Sequence, residues 1–469
     1  MFKIIVARDL NMGIGLDGEL PWAIMEDMKH FKNLTSKTKN ENKQNCVIMG
    51  RKTYESIPEK YFPLKDRINI ILSKTLKNIE NGVVLGSIDS VLNYVNKNKK
   101  QIESSYIIGG QNIYIDFLNM GVVSEIFETV IEGRYECDRF LPVFKNNYKL
   151  IKKTNTYLKD LKSNKNVVVK FNHYICENKE ERNYLTLMDR ILKEGLDKGD
   201  RTGTGTISLF AQTLKYDIRD GKLPLLTTKL VPFRLIVEEL LWFLKGNTDA
   251  RKLQEKRVRI WDGNTTREFL DNRGLNHMPV GDIGAGYGHQ LRHFNAEYKT
   301  CEGDYEGEGV DQLEYVIDLL KNNPTSRRIL FSYWNPSQLK DAALPPCHLL
   351  YQFYVNPKTK EISSCLYQRS SDYFLANNYN AVSAIILTTI LGKMCDYKPK
   401  EFTHFLADTH IYKNHIEQCK EQLKRLPSIQ PRLEFNKEIN NIKDIEQLEY
   451  KDFKLINYFP QKAIRGKMN

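Results

Sequence analysis

The chain has 469 residues, of which 41% are hydrophobic and 27% charged, with a formal net charge of +12 and a pI near 9.0. This length exceeds that of a typical single domain, so two or three domains with separate cores are expected. No apolar run reaches the roughly eighteen residues of a membrane helix, so no membrane association is expected. The opening residues MFKIIVARDL predict a strand rather than a signal peptide.

The cysteines are scattered and form no C-x-x-C pair, which disfavours a disulfide framework or a zinc cage and favours a cytoplasmic setting. His289 and His293 have helical metal-pair spacing but no acidic or cysteine ligand beside them. We therefore interpret His289 and His293 as histidines of the surface or of a functional site rather than as metal ligands, and no metal is expected. The positive charge suits nucleic acid or small anionic substrates, and composition alone does not choose between them.

Residues 1–176 predict short strands rich in Ile and Val that alternate with helices. The predicted strands are FKIIVA, CVIM, INIILS, VVLG, SYIIGG, EIFETVI and NVVVKFNHYIC. This alternation predicts an α/β domain with a central, mostly parallel sheet flanked by helices. A polar string at 177–183 marks a boundary, so domains of residues 1–178 and 183–469 are predicted. The second mixes long helices with strands irregularly, which is typical of an α+β fold.

A carboxylate interrupts the apolar face of a helix predicted over 24–34. Asp27 shares that face with Ile24, Met28, Phe31 and Leu34. Burial would raise its pKa and let it hold or relay a proton near neutrality. A helix-capping or salt-bridging aspartate is an equally good interpretation of this segment alone.

Two strand-to-helix turns could bind phosphates. YIIGGQNIYIDF places a Gly-Gly turn before a helix, where backbone N–H groups can face a pyrophosphate, although the same turn can be purely structural. VIMGRKTYESIP places Arg51 and Lys52 at a second such turn.

The ordered segments VARDLNMGIG, GELPW, VIMGRKTYESIP, PLKDRINIILS and YIIGGQNIY resemble those of dihydrofolate reductases over residues 1–176. The resemblance implies that Asp27 anchors the pterin and assists proton delivery, that Thr129 supports it, and that Arg67 binds the α-carboxylate of the glutamate tail. It implies a folate pocket lined by Ala7, Trp22, Met28, Phe31, Ile57 and Leu64. It implies NADPH as cofactor, held by Gly15, Arg51, Lys52, Thr53, Ser73, Ile108, Gly109, Gly110 and Tyr114. Asp66 departs from the family, which usually has glycine before that arginine.

In the second part, ALPPCHLLYQFYV sets Cys347 after two prolines and before a predicted strand. An isolated cysteine in such a segment is usually structural. Arg201, the pair Arg327–Arg328, and Arg369 lie in three other segments, and their convergence would lower the thiol pKa and bind a phosphate. Spacing cannot establish that convergence.

The segments DRTGTGT, PLLTTK, EELLWFLKGNTDA, GDIGAGYGHQLRHFNAEY, SRRI, ALPPCH, CLYQRS and DTHIY resemble those of thymidylate synthases over about residues 183–469. The resemblance implies that Cys347 adds to carbon 6 of dUMP and activates carbon 5 toward 5,10-methylenetetrahydrofolate. It implies proton movement by Glu239, Tyr287 and His348, with resemblance alone selecting Glu239 over Glu238. The implied substrate contacts are Arg201, Arg327, Arg328, Gln368, Arg369, Ser370, Asp372, Asn380, His410, Tyr412 and Trp261.

Together the two resemblances imply a bifunctional enzyme whose second activity produces the dihydrofolate that the first reduces. Because Arg327 and Arg328 would enter the partner's phosphate site, a homodimer through the synthase domain is implied. A regulatory or RNA-binding protein with a degraded synthase half is the rival from another class, and nucleic acid is otherwise not expected. A chain in which only the reductase works is a narrower rival.

Departures from the family cluster near the synthase folate site. Leu291 replaces a tryptophan, ANNYN at 376–380 replaces a Gly, apolar, Pro, Phe, Asn loop, Ala407 replaces a glycine, and IRGKMN lacks the usual small apolar end. Asn377 and Asn378 are expected to add polarity near the folate. These changes predict normal nucleotide binding with a raised Michaelis constant for methylenetetrahydrofolate.

Overall fold

A computed structural model describes residues 2–144, 148–200 and 203–467. The chain divides into two compact units, residues 1–177 and 178–469. Within the described ranges, no helix combines the length and the apolarity that a membrane crossing requires.

The first unit alternates strands and helices along the chain. Its strands are β1 Phe2–Arg8, β2 Gly13–Gly15, β3 Gln44–Gly50, β4 Arg67–Leu72, β5 Val83–Leu85, β6 Ile102–Gly109, β7 Val123–Ile131, β8 Arg139–Phe140, β9 Tyr148–Asp160 and β10 Lys165–Cys176. Its helices are α1 Met25–Ser36, α2 Arg51–Ser56, α3 Ile88–Lys97 and α4 Gln111–Asn119.

The main sheet of this unit has the strand order β5-β4-β3-β6-β1-β7-β10-β9. Pairs from β5 through β7 are parallel, whereas β10 pairs antiparallel with both β7 and β9. Helices cover the central strands, which explains their continuous apolar runs. The predicted α/β fold with a mostly parallel sheet is confirmed. Because β3 and β6 are adjacent and parallel, the turns that follow them lie at one edge of the sheet.

The second unit mixes strands and helices without alternation. Its strands are β11 Leu196–Lys198, β12 Thr206–Asp217, β13 Leu330–Ser332, β14 His348–Asn356, β15 Glu361–Asp372, β16 Lys398–Tyr412, β17 Arg432–Phe435 and β18 Phe453–Ile456. Its helices are α5 Lys179–Glu194, α6 Phe233–Leu244, α7 Arg251–Glu255, α8 Arg267–Asn272, α9 Tyr287–Arg292, α10 Gln312–Asn322, α11 Asn377–Met394, α12 Ile416–Leu423 and α13 Ile442–Glu446.

The main sheet of the second unit has the order β11-β12-β16-β15-β14-β13. It is antiparallel except for the pair β15–β16. One face packs on α11, whose side chains are almost all buried. The other face carries exposed aromatic side chains, including Tyr354 at 73% and Phe210 at 74% exposure. The predicted α+β class is confirmed.

Two parts of the chain differ from the sequence expectation. The long strand β9 was not among the predicted strands, because its lysine-rich sequence YKLIKKTNTYLKD resembles a solvated loop. It forms an edge of the sheet, where exposed lysines oppose pairing with other chains. In the second unit, the segment RRILFSYW has the apolar composition of a strand, but β13 spans only Leu330–Ser332 within it.

Candidate active sites

Asp27 lies in the first turn of α1 with 7% of its surface exposed. Burial raises the pKa of its carboxyl to about 6, and a hydrogen bond with the Thr129 side chain opposes that rise. The predicted direction of the shift is confirmed. Ala7 on β1 lies opposite Thr129 on β7 in the strand register, so these three residues from three elements lie together.

An apolar wall lies beside this carboxyl. Phe31, Ile57, Leu64 and Ile108 belong to one partly buried cluster. Trp22 is 2% exposed, and its buried Nε1 has no hydrogen-bond partner within the described residues. A buried donor without a partner, together with an acid whose pKa is raised, suits a flat heterocycle with ring nitrogens.

Not every predicted member of the helix face is buried. Met28 is 53% exposed at the edge of the face that carries Asp27, so the apolar stripe is narrower than the sequence suggested. Ile24 is buried but stands at the N-cap position, one residue before α1 begins.

Arg67 is the first residue of β4, and its side chain lies beside the last turn of α1. Its Nη1 donates to Thr35 Oγ1 at 2.7 Å and its Nε donates to Lys65 O at 2.9 Å, while the guanidinium lies 6.0 Å from the centre of the Phe31 ring. Asp66 before it has φ of +62°, which explains the family's preference for glycine there. Burial lowers the pKa of the Arg67 guanidinium, and the Asp66 carboxylate partly opposes that change.

The Gly-Gly turn joins β6 to α4, and Gly109 has φ of +131°. A Cβ on Gly109 or Gly110 would stand 3.3 or 3.2 Å from Thr53 Oγ1, so only glycine leaves room for Thr53. Arg51 and Lys52 begin α2 at the neighbouring turn after β3. Tyr114 on α4 donates its hydroxyl to Ile5 O at 3.0 Å and thereby anchors the helix to β1.

Ser73 follows β4 and lines a cavity of about 410 Å³. Lys74 lines the same cavity, together with Gly86, Ser87 and Asp89. Lys74 was missed in the sequence, although its place directly after a parallel strand and beside Ser73 was an available signal.

Two buried carboxylates that the sequence did not single out hold the loops around the site. Asp9 Oδ1 accepts from the backbone N–H groups of Asn11 and Gly13, which fixes the turn leading to Gly15. Asp160 Oδ1 accepts from Ala23 N at 2.9 Å and so holds the segment that carries Trp22. For Asp9 the sequence signal was its place before the glycine-containing segment LNMGIG, whereas the sequence around Asp160 carried no such signal.

In the second unit, Cys347 stands directly before β14. Its N–H donates to the Tyr287 hydroxyl at 2.9 Å, and its carbonyl accepts from Arg369 N at 3.0 Å. Arg369 Nη2 lies 3.8 Å from the sulfur. The structure therefore brings one of the predicted arginines to the thiol.

The predicted lowering of the Cys347 pKa is wrong for the single chain. Burial raises the pKa of the thiol, and Arg369 and the Tyr287 hydroxyl only partly oppose it. Arg327 and Arg328 are exposed before β13, and Arg327 lines a cavity of about 610 Å³ on the outer face of the sheet with Gln352 and Tyr354. Arg201 lies outside the described residues.

Glu239 on α6 accepts from the indole Nε1 of Trp261 at 2.9 Å. Burial raises the pKa of its carboxyl to about 7, and the Trp261 bond lowers it. Glu239 keeps a little accessible surface, whereas Glu238 pairs with Lys256 at 2.7 Å. The two neighbouring carboxyl groups thus differ in their surroundings: burial raises the pKa of Glu239, whereas Glu238 is engaged in an ion pair. The ring of Tyr287 packs against Trp261, with ring centroids 6.0 Å apart.

His348 connects the nucleophile segment to α11. Burial lowers the pKa of its imidazole to about 4, and a hydrogen bond with Asn380 opposes the change. Gln368 is 1% exposed, donates to Ser370 O at 2.8 Å and hydrogen-bonds His404 Nε2 at 2.8 Å. His404 was missed in the sequence because a single histidine in a strand carries no spacing signal.

The ends of β15 and β16 carry a further group of predicted residues. Ser370 lies opposite Asp408 and Asp372 opposite His410 in this parallel pair. His410 Nδ1 hydrogen-bonds Asp408 Oδ1 at 3.1 Å, and the His410 ring packs edge-on against Tyr412. The structure thus gathers these residues at the strand end next to Arg369.

The two asparagines of the ANNYN segment do not add the expected polarity to a ligand cleft. Asn378 accepts from Leu226 N at 3.2 Å and donates to Pro224 O at 2.7 Å, so its amide is used internally. Asn377 is fully buried and donates to Ser371 Oγ at 3.2 Å. Both tie the start of α11 to neighbouring segments.

The other residues that differ from the thymidylate synthase pattern also pack within the second unit. Leu291 is fully buried in the core, and Ala407 is 7% exposed. Ile464 packs against the same core, and His415 Nε2 hydrogen-bonds Lys467 O at 2.8 Å. Met468 and Asn469 lie outside the described residues.

The histidine pair named in the sequence is not an exposed pair. His289 is 1% exposed and hydrogen-bonds Ala296 O at 3.1 Å, and burial lowers its pKa to about 4. Across the described ranges, no cluster of three or more His, Cys, Asp or Glu side chains could hold a metal ion.

Known proteins match the chain along its whole length. The family model for dihydrofolate reductase matches residues 1–176, and that for thymidylate synthase matches residues 182–469. Bifunctional dihydrofolate reductase-thymidylate synthases are 42% identical in Leishmania major and 41% identical in Paramecium tetraurelia, and each comparison covers 100% of this chain and 95% or 98% of the relative. A second form of that enzyme from Arabidopsis thaliana is 42% identical over 100% of this chain and 88% of its own length. The chain belongs to the bifunctional dihydrofolate reductase–thymidylate synthase family.

Proposed function

We propose that residues 183–469 methylate dUMP to dTMP with 5,10-methylenetetrahydrofolate, and that residues 1–178 reduce the resulting dihydrofolate to tetrahydrofolate with NADPH. The observation that carries this proposal is the placement of Cys347 between Arg369 and the hydroxyl of Tyr287, with His348 and Asn380 in hydrogen-bond contact next to it.

Cys347 is the nucleophile that adds to carbon 6 of the pyrimidine, and carbon 5 then attacks the one-carbon group of the folate. In the single chain the thiol is mostly protonated, so its activation needs the further positive charge of the phosphate-site arginines. Glu239, with a pKa of about 7, can both accept and donate a proton near neutrality. Trp261 orients that carboxyl and offers its ring to the folate.

The phosphate of dUMP is bound by Arg201, Arg369 and Ser370, joined by Arg327 and Arg328 of the partner subunit. Asn380 contacts the pyrimidine edge, and His410 and Tyr412 hold the ribose hydroxyl. Gln368 contributes to the nucleotide site and Asp372 to the folate site.

The reductase half binds its substrate through Asp27, which holds the pterin and supports its protonation. The unpaired Nε1 of Trp22 and the apolar wall of Phe31, Ile57 and Leu64 complete the pocket, with Ala7 and Met28 at its border. Arg67 binds the tail carboxylate.

The glycine pair beside Thr53 leaves space for a pyrophosphate, so the residues present fit a dinucleotide. Arg51, Lys52, Ser73 and Lys74 would hold its terminal 2′-phosphate. Gly15, Ile108 and Tyr114 border the nicotinamide. When bound, NADPH supplies the hydride.

The synthase unit acts as a homodimer through the outer face of its sheet. That face combines the exposed Phe210 and Tyr354 with the cavity lined by Arg327. Monomeric proteins rarely leave such an aromatic face uncovered. A second copy seated there would bring Arg327 and Arg328 toward the partner's site. A nucleophilic thiol also needs a reducing compartment, and we place the protein in the cytoplasm.

Covalent trapping tests the synthase assignment directly. Purified protein incubated with methylenetetrahydrofolate and the 5-fluoro analogue of dUMP should form a stable adduct on the peptide that contains Cys347. A matched Cys137→Ser variant should be trapped equally well, because Cys137 is a free cysteine of the first unit, away from the proposed synthase site. Absence of an adduct, or an adduct on another cysteine, would refute the assignment.

A further inference from the structure

An aromatic ring supports the guanidinium of Arg369. The Cζ atom of Arg369 stands 5.5 Å from the centre of the Trp334 ring, within the range of a cation–π contact. Trp334 is partly exposed and contributes to no step of the proposed reaction. Its ring nevertheless lies against the guanidinium whose Nη2 stands 3.8 Å from the Cys347 sulfur.

Arg369 is already bonded along one edge of its guanidinium. Nε donates to Pro346 O at 2.9 Å and Nη2 donates to Pro345 O at 2.8 Å, both on the segment that carries Cys347. With that edge fixed and one face covered by Trp334, Nη1 is the nitrogen that remains available for an anion. The guanidinium is therefore held in one plane and one orientation before any ligand arrives.

Trp334 is itself held by a hydrogen-bonded turn. Its N–H donates to Ser332 Oγ at 3.0 Å, and that hydroxyl lies 3.1 Å from Leu349 O, two residues after Cys347. The side chain of Gln312 clasps Ser332 from both sides, accepting from its N–H at 3.0 Å and donating to its carbonyl at 2.7 Å. The turn after β13 is thus tied to both α10 and β14.

We propose that Trp334 is a positioning residue of the synthase site, whose ring fixes the plane of Arg369 so that Nη1 faces the phosphate of dUMP. The inference rests on the proposed function, because it assumes a nucleotide phosphate at Arg369. It adds a residue that acts through the arginine and does not touch the substrate.

The test uses the full-length chain and compares Trp334→Phe, which keeps an aromatic face, with Trp334→Met, which keeps apolar volume without one. Equilibrium binding of dUMP and of deoxyuridine is measured for both variants and the parent, together with the thermal unfolding midpoint. Trp334→Met should weaken dUMP binding by roughly threefold to thirtyfold and leave deoxyuridine binding unchanged. Trp334→Phe should retain most of the dUMP affinity.

Three results overturn the inference: dUMP binding by Trp334→Met within twofold of the parent, equal weakening of dUMP and deoxyuridine, or equal losses in both variants. If neither variant folds, dUMP binding is measured for Ser332→Ala instead. This variant keeps the Trp334 ring but removes the hydroxyl that accepts from the Trp334 N–H. Unchanged dUMP binding in Ser332→Ala overturns the inference as well. A parent protein that forms no dTMP and does not prefer dUMP to deoxyuridine would instead refute the proposed function.

Discussion

At the scale of single residues, both proposed sites contain a carboxyl group whose pKa is raised toward neutrality by burial. Asp27 reaches about 6 and Glu239 about 7. In each case one hydrogen bond opposes the shift, from Thr129 and Trp261 respectively. The pKa values of Asp27 and Glu239 are thus set by the same two effects, burial and one hydrogen bond. Mutation can remove each effect separately.

Asp27→Asn should stabilise the protein at alkaline pH while abolishing dihydrofolate reduction. Well below pH 4 the carboxyl is neutral in both the folded and the unfolded chain, so parent and variant should be equally stable there. As pH rises through 6, the folded parent must ionise a buried group that the unfolded chain ionises freely. The variant should therefore gain up to about 3 kcal/mol relative to the parent by pH 8.

Urea unfolding of the first unit at pH 4, 6 and 8 measures this difference. Glu26→Gln, on the exposed side of the same helix, is the matched control and should show no pH-dependent gain. A variant at Asp27 that is less stable than the parent at pH 8 would contradict the burial argument.

Trp261→Phe should shift the pH dependence of dTMP formation upward. The indole N–H stabilises the charged form of Glu239, so its loss should raise the pKa of that carboxyl above 7 by about one unit. The measurement is the pH profile of kcat, which separates this effect from weaker folate binding. Trp242→Phe is the control, because Trp242 Nε1 donates to Asp249 O instead. Identical profiles for the two variants would argue against the assigned role.

At the scale of elements, the segment Thr227–Thr228 is held by one buried carboxylate at the start of α5. Glu181 accepts from both backbone N–H groups at 2.8 and 2.7 Å and from both hydroxyls at 2.6 and 2.8 Å. This segment follows Leu226, which Asn378 ties to α11, the helix that carries Asn380. The carboxylate therefore supports the site from a distance.

Glu181→Ala should destabilise the second unit by about 3 kcal/mol or more, because five donors, four of this segment and Nδ2 of Asn178, would lose their acceptor in a buried place. Hydrogen exchange at the amides of Thr227 and Thr228 should accelerate in parallel. Glu180→Ala removes the neighbouring carboxylate, which is partly exposed, and should change neither measurement. Equal stability of the two variants would show that the segment is held by other contacts.

The sequence predicted most strands whose side chains are apolar and buried, and it failed for some strands whose side chains are polar. The lysine-rich β9 and the His- and Thr-containing β16 escaped the pattern, although the latter is mostly buried. β9 pairs with β10, the next strand along the chain, whereas β16 pairs with the distant β12 and with β15. Hydrophobic periodicity contains no information about such partners.

The same distinction applies to the sites. Asp27 could be found because the sequence shows a carboxylate on an otherwise apolar helix face. That position predicted its burial, which the structure shows. The pKa of Cys347 was misjudged because the distance of each arginine from the sulfur depends on tertiary structure. Asn378 was misjudged because its amide turned out to bind backbone atoms of a distant segment.

At the scale of the whole molecule, the exposed aromatic face of the second sheet predicts dependence on a partner subunit. Tyr354→Asp would place a charge on that face and should yield a monomer that retains dihydrofolate reduction but loses dTMP formation. Tyr157→Asp is the control, because Tyr157 is 80% exposed on β9 in the other unit. Light scattering measures the oligomeric state of each variant, and the two activity assays measure dihydrofolate reduction and dTMP formation. A monomeric variant with full dTMP formation would rule out the shared phosphate site.

The most direct test of the whole account is NADPH consumption by the purified full-length chain supplied with methylenetetrahydrofolate, with and without dUMP. The account predicts that NADPH loss requires dUMP, that Cys347→Ser abolishes this dependent loss, and that the same variant still oxidises NADPH when dihydrofolate is added. Formation of dTMP by the Cys347→Ser protein would contradict the account, because the sulfur would then not be the attacking atom.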